Sequence, residues 1–170
     1  MLVFYLTLGF VLFFLQHLIP FPANIRLDLL TLFVVFVTLR AEFIVAVMLA
    51  LVLGFILDCY GLGPLGLQVA HLLTAVLGTA LVRRRLNLLY ILPQIAGVAI
   101  IMLLQGIIMA GLLHLLLPVP VVYPSMLRQG FLQLGITALS APVVLGLFRI
   151  LEKVWRHYLL RKSLRISGEQ

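Results

Sequence analysis

The sequence predicts an all-α polytopic membrane protein with six transmembrane helices, some of them short. Hydrophobic residues make up 64% of the chain and charged residues only 10%, against about a quarter charged in soluble domains. Mean hydropathy is +1.26. Apolar runs of helical length follow one another almost without a break, and the basic residues fall between and after them. A chain of 170 residues has room for about five or six spans of roughly 20 residues, and none for a separate soluble domain. One transmembrane domain over 1–148 and a basic tail over 149–170 are therefore expected. In a soluble protein the net charge of +7 would point to nucleic acid. Here the positive-inside rule accounts for the cations, and no nucleic-acid partner is expected.

Each element follows in order. Residues 1–19 carry no Lys or Arg before their apolar run and exceed an ordinary signal-peptide core, so they read as a retained first span. Pro20, Pro22 and Asn24 end it. Residues 27–39 and 43–57 are apolar and flank Arg40-Ala41-Glu42. One continuous helix would be about 46 Å long with Arg40 near the bilayer midplane; a hairpin gives two spans of about 20 and 22 Å with the charges at the turn. A central arginine costs about 2.5 to 3.5 kcal/mol on insertion scales, while short spans cost fractions of a kcal/mol per Å of mismatch. The hairpin is favoured, and five spans remain the alternative. A span at 67–82 is stopped by Arg83-Arg84-Arg85, and a long one at 88–117 contains Pro93 as a place to kink. A proline-rich loop leads to the last span at 126–148, with a second kink expected at Pro142. Cys59 is the only cysteine, which excludes an internal disulfide.

Counting Lys and Arg on alternate sides places Arg40, Arg83, Arg84, Arg85 and the tail cations inside, against Arg26 and Arg128 outside, with the C-terminus cytoplasmic. Asp58 then lies on the outer face in either topology; only the hairpin puts Asp28 there too. A carboxylate at a helix C-terminus faces the negative end of the macrodipole. Arg128, Arg26 and an anion nest of Gly61-Leu62-Gly63 amides are the candidate partners, with plain interfacial water as the bland alternative. Asp28 reads as a helix N-cap. Gly61, Gly63, Pro64 and Gly66 read as turn residues.

No catalytic constellation accompanies these acids. His17, His71, His114 and His157 are scattered without metal-ligand spacing, and no nucleophile elbow, phosphate loop or zinc motif is present. No cofactor or metal is expected. His71, inside a span, is expected to make a hydrogen bond across the bundle. Gln68, Gln105, Gln129, Gln133, Thr7, Thr31, Thr74, Thr79, Thr137 and Ser140 are expected to bridge helices. Gly106 and Gly111, like Gly130 and Gly135, are five apart and predict close helix approach. In the tail, Ile150, Val154 and Tyr158, with Leu151, Trp155 and Leu159, recur every four residues. Arg149, Glu152, Lys153 and Arg156 fall on the other face, with Arg161 and Lys162 beyond. A basic amphipathic helix along the cytoplasmic surface is predicted, anchored on anionic lipid or docking a cytoplasmic protein.

The succession R-L-D-L-L-T-L-F-V-V-F-V-T-L-R, a short turn, then G-F-I-L-D-C-Y-G-L-G-P-L-G, resembles the rod-shape-determining protein MreD family. Asp28, Arg40, Gly54, Asp58, Gly63, Leu65 and Gly66 carry the likeness; Leu27 stands where that family often has proline. The resemblance implies a non-enzymatic inner-membrane partner of MreC in the elongation machinery that couples the cytoskeleton to peptidoglycan synthesis. It implies Asp28, Arg40, Asp58 and the glycine loop as structural or interface residues, to which the topology adds Arg128 as a candidate partner of Asp58. It also implies an architecture like the S-components of energy-coupling-factor transporters. A vitamin-binding S-component is the rival reading; its family's alanines four apart on the first helix are missing here, where the first span has only Gly9.

Overall fold

A computed structural model describes residues 2–18, 28–60, 64–85, 90–116 and 124–167. Among them are six helices and no strand: α1 (Leu2–Leu18), α2 (Leu29–Arg40), α3 (Phe43–Tyr60), α4 (Leu67–Arg85), α5 (Ile91–Leu116) and α6 (Pro124–Ser167). Three carry stretches long and apolar enough to cross a membrane: Phe43–Tyr60, Ile91–Leu112 and Gly130–Trp155. The protein is thus an all-helical chain of membrane-protein character.

The chain breaks at Ala41 and Glu42 and does not continue as one long helix. Ala41 turns extended while its N–H still bonds the Val37 carbonyl, and the Glu42 carbonyl accepts the first bond of α3 from Ala46. The expected hairpin is therefore present. Its first arm, α2, has 12 residues, about 18 Å, and every residue from Leu30 to Thr38 is buried. A helix apolar on all sides belongs in a core. Accordingly α2 packs on α1, α3, α4 and α6, while α3 meets α4, α4 meets α5 and α5 meets α6. Phe148 of α6 packs against Phe33 and Phe36 of α2, with ring centroids 5.6 and 5.5 Å apart. The apolar residues left exposed, such as Ile44, Phe55, Ile107 and Val143, are those that lipid would cover.

One glycine decides the α3–α4 packing. A Cβ on Gly54 would stand 2.6 Å from the Val69 Cα, a backbone atom that cannot give way. By contrast, a Cβ on Gly106, Gly111, Gly130 or Gly135 would meet nothing within 4 Å. The expected close approach at those four is wrong, because they sit on faces that no described helix covers.

Two further expectations change. Pro93 is the third residue of α5, in the first turn where its missing N–H costs no intrahelical bond, so it marks a helix start and not a kink. The helix α6 contains Pro142 and runs past 148 to Ser167, so the last span continues into the tail. Its residue Glu152, expected on the solvated face, is only 4% exposed. The reason is that it faces α1 and α2: Tyr5 Oη donates to Oε1 at 3.4 Å, and Arg40 Nε lies 3.9 Å from Oε2. Trp155, one turn on, stacks on Phe4 at 5.1 Å. Arg149 is half-buried and Lys153 exposed; the side chains of Arg156, Arg161 and Lys162 lie outside the described set.

Gly54→Ala is expected to lower the thermal unfolding midpoint of the detergent-purified protein by an amount corresponding to about 1–3 kcal/mol, whereas Gly106→Ala leaves it within about 0.5 kcal/mol.

Candidate functional site

The two aspartates lie at the end of the bundle where α2 and α4 begin and α3 ends. Asp58, in the last turn of α3, is 7% exposed. Its Oδ2 accepts from the Gly66 amide at 2.9 Å and the Val69 amide at 3.3 Å, and its Oδ1 accepts from the Gln68 amide at 2.9 Å. Those donors are the opening of α4. Gly66 is the N-cap, since its carbonyl accepts the first helical bond from Ala70; Gln68 and Val69 are the second and third helical residues. A helix leaves its first N–H groups without intrahelical acceptors, and a side-chain oxygen one to three residues upstream ordinarily takes them. Here an acid of the preceding helix does so from eight residues upstream. Its charge sits on the positive end of the α4 dipole, which offsets its position at the negative end of α3.

Local geometry makes this reach possible. Leu67 N donates to Pro64 O at 3.3 Å, which closes a four-residue turn. Gly66 occupies its third position at φ +93°, the left-handed value a type II turn requires there and glycine supplies without strain. Pro64 and Leu65 are exposed at its tip. Asp58 therefore draws on the α4 amides, and neither the Gly61-Leu62-Gly63 nest nor interfacial water is needed to hold it. Arg26, Gly61 and Gly63 lie outside the described residues, as does the side chain of Arg128.

Asp28 caps α2 as expected. Its Oδ1 accepts from the Thr31 amide at 2.9 Å and its Oδ2 from the Thr31 hydroxyl at 2.7 Å. His71 of α4 brings Nε2 to 3.3 Å from both Asp28 Oδ2 and Thr31 Oγ1. Because the single Thr31 hydroxyl proton already goes to Asp28, the proton between His71 and these oxygens is assigned to Nε2. Gln105 of α5 completes the group: its Nε2 donates to the His71 carbonyl at 3.0 Å and to Thr31 Oγ1 at 3.4 Å. Four side chains thus tie α2, α4 and α5 together, and His71 does make the cross-bundle bond read from the sequence. Comparison with family models, curated proteins and solved structures finds no match for this chain.

Two other residues expected to bridge helices, Thr74 and Thr79, bond within their own helix instead, and Thr38 does the same. The hydroxyls of Thr38, Thr74 and Thr79 turn back to the carbonyl four residues earlier in their own helix, at 2.7, 2.7 and 2.6 Å. That bond satisfies a hydroxyl in an apolar setting without a neighbour. Arg40, grouped with the aspartates by the motif, stands at the opposite end of the bundle with Glu152. Near it Arg83 Nη1 donates to Thr38 O at 3.5 Å. His71 and Arg83 are 12 residues apart, about 18 Å along α4, which matches the length of α2. So α4 holds α2 at both ends.

Among the described residues no group of His, Cys, Asp and Glu has the arrangement of a metal site, and Cys59 is an exposed free thiol. Both aspartates spend their lone pairs on helix ends.

Asp58→Ala strands three amides and is expected to cost about 2–4 kcal/mol in reversible unfolding in detergent. Asp58→Asn, which keeps one carbonyl oxygen, should cost about half of that. Gln105→Leu should cost about 1 kcal/mol.

Proposed function

We propose that the protein is a non-enzymatic membrane scaffold of the bacterial elongation machinery, an inner-membrane protein of the MreD type that binds MreC. In this reading all six helices span the membrane in the S-component arrangement, with the C-terminus and the arginine-rich end in the cytoplasm. The observation that carries it is the corner formed by the motif residues. Asp28 caps α2, Asp58 caps α4, Gly54 admits the Val69 backbone and Gly66 makes the turn. Asp28, Gly54, Asp58 and Gly66 among the residues behind the resemblance thus fix one corner, outer in this reading, with Pro64 and Leu65 at its tip, while Arg40 stands at the other end. Rigid, exposed and apolar at its apex, such a corner suits a partner's transmembrane or juxtamembrane segment.

The polarity of the bundle agrees with this orientation. Described cations gather at the other end: Arg40, Arg83, Arg84, Arg85, Arg149 and Lys153. That end is where the positive-inside rule puts the cytoplasm. The rival vitamin-binding reading wants a cavity of a few hundred Å³, whereas the cleft lined by Val35, Gln94, Val98, Ile101 and Leu145 holds about 10 Å³.

Leu65 is 77% exposed, so Leu65→Glu separates docking from folding. Co-purification of MreC with this variant is expected to fall at least five-fold while the unfolding midpoint stays within about 0.5 kcal/mol of wild type. Wild-type recovery of MreC with Leu65→Glu would remove the corner from the interface, and no recovery with the unmodified chain would remove the reading altogether.

A further inference from the structure

Three arginines close α4, and the structure gives them different roles. Arg83 follows Thr79 and Ala75 at four-residue steps, both buried, and its guanidinium turns inward to the Thr38 carbonyl. Arg85 follows Leu81 and Leu77 at the same steps. These are 61% and 55% exposed, so Arg85 heads a stripe on the outer surface of the bundle. All three arginines are exposed, and Arg84 stands between the other two. Neither Arg84 nor Arg85 has an acceptor among the described residues, whereas Arg40 and Arg83 do. In the first turns of the neighbouring α3, Ile44 and Met48 are 68% and 56% exposed.

We infer that Arg84 and Arg85 form a headgroup site for an anionic phospholipid, whose acyl chains lie along Leu81, Leu77, Ile44 and Met48. Charge and shape both fit. Two unpaired guanidiniums offer forked donors to a phosphate, and the residues next in line away from the helix end are apolar and unpacked. Glu42, the exposed acid nearest this end of α3, leaves the local balance positive. Tyr90, 68% exposed at the start of α5, adds an aromatic residue of the kind that settles at headgroup level. The site is independent of the MreC reading, since it lies at the opposite end of the bundle from the aspartate corner.

The test is lipid retention by native mass spectrometry after extraction from nanodiscs of equal parts phosphatidylglycerol and phosphatidylcholine. Wild type should retain phosphatidylglycerol over phosphatidylcholine roughly ten-fold. Arg84→Gln/Arg85→Gln should bring the ratio close to one, while Arg84→Lys/Arg85→Lys, which keeps charge and topology, should hold most of it. Equal retention of both lipids by wild type, or an undiminished preference in the glutamine variant, overturns the site. Should the glutamine variant fail to fold, wild-type retention in about 0.5 M salt decides: the preference should collapse as the charges are screened, and persistence refutes the proposal. Capture of an acidic soluble protein by wild type without any lipid preference refutes it equally.

Discussion

A helix leaves its first amides without intrahelical acceptors, and at the start of α4 they turn to Asp58. Three N–H groups converge on one carboxylate. Each would otherwise carry the cost of a polar group left unpaired in an apolar medium. The same contact fixes where α4 begins, how tightly the chain doubles back from α3, and therefore which residues of α4 face inward. With α4 set, Val69 meets Gly54, His71 reaches Asp28, and Arg83 reaches the far end of α2. A small shift of that helix would break all three.

The constraint matters because lipid gives helices no hydrophobic reason to associate. Association has to come from close packing and from polar bonds, and both are placed around α2. Phe33 and Phe36 take Phe148 of α6 between them. Polar stitches reach α2 from three helices, His71 and Arg83 from α4, Gln105 from α5 and Glu152 from α6, the last also accepting from Tyr5 of α1. A helix of 12 residues is too short to cross the hydrocarbon core alone. Enclosed by longer helices and tied at both ends, it serves as the core they pack on.

How much of this the sequence reveals depends on the range of the interaction. Helix positions, the break at Ala41-Glu42 and the Asp28 cap are local; apolar length, charge cost and an aspartate opening an apolar segment after a proline-rich loop declare them. The partners of Asp58 are not, because eight residues and a glycine turn separate acid from amide, and no helical period spans such a turn. Glu152 was misplaced for a related reason: its neighbours in sequence are basic, but its neighbours in space are Tyr5 and Arg40, more than a hundred residues away in the chain. Gly106, Gly111, Gly130 and Gly135 look like those of a helix interface in sequence, yet they meet nothing within 4 Å, whereas Gly54 meets a backbone. Spacing says that a small residue is present, and only packing says whether anything approaches it. The Asp28–His71 pair has a legible half in each residue, an N-cap and a lone histidine inside a span, without a signal joining them.

Amide hydrogen exchange over 64–72 tests the central claim most directly. In the wild-type protein the amides of Gly66, Gln68 and Val69 should exchange slowly, although they open a helix and have no intrahelical acceptor. In Asp58→Ala they should exchange at least ten-fold faster, while protection within α5 and α6 stays unchanged. Equal exchange at these three amides in both proteins would contradict the account, since Asp58 would then not be what holds the start of α4.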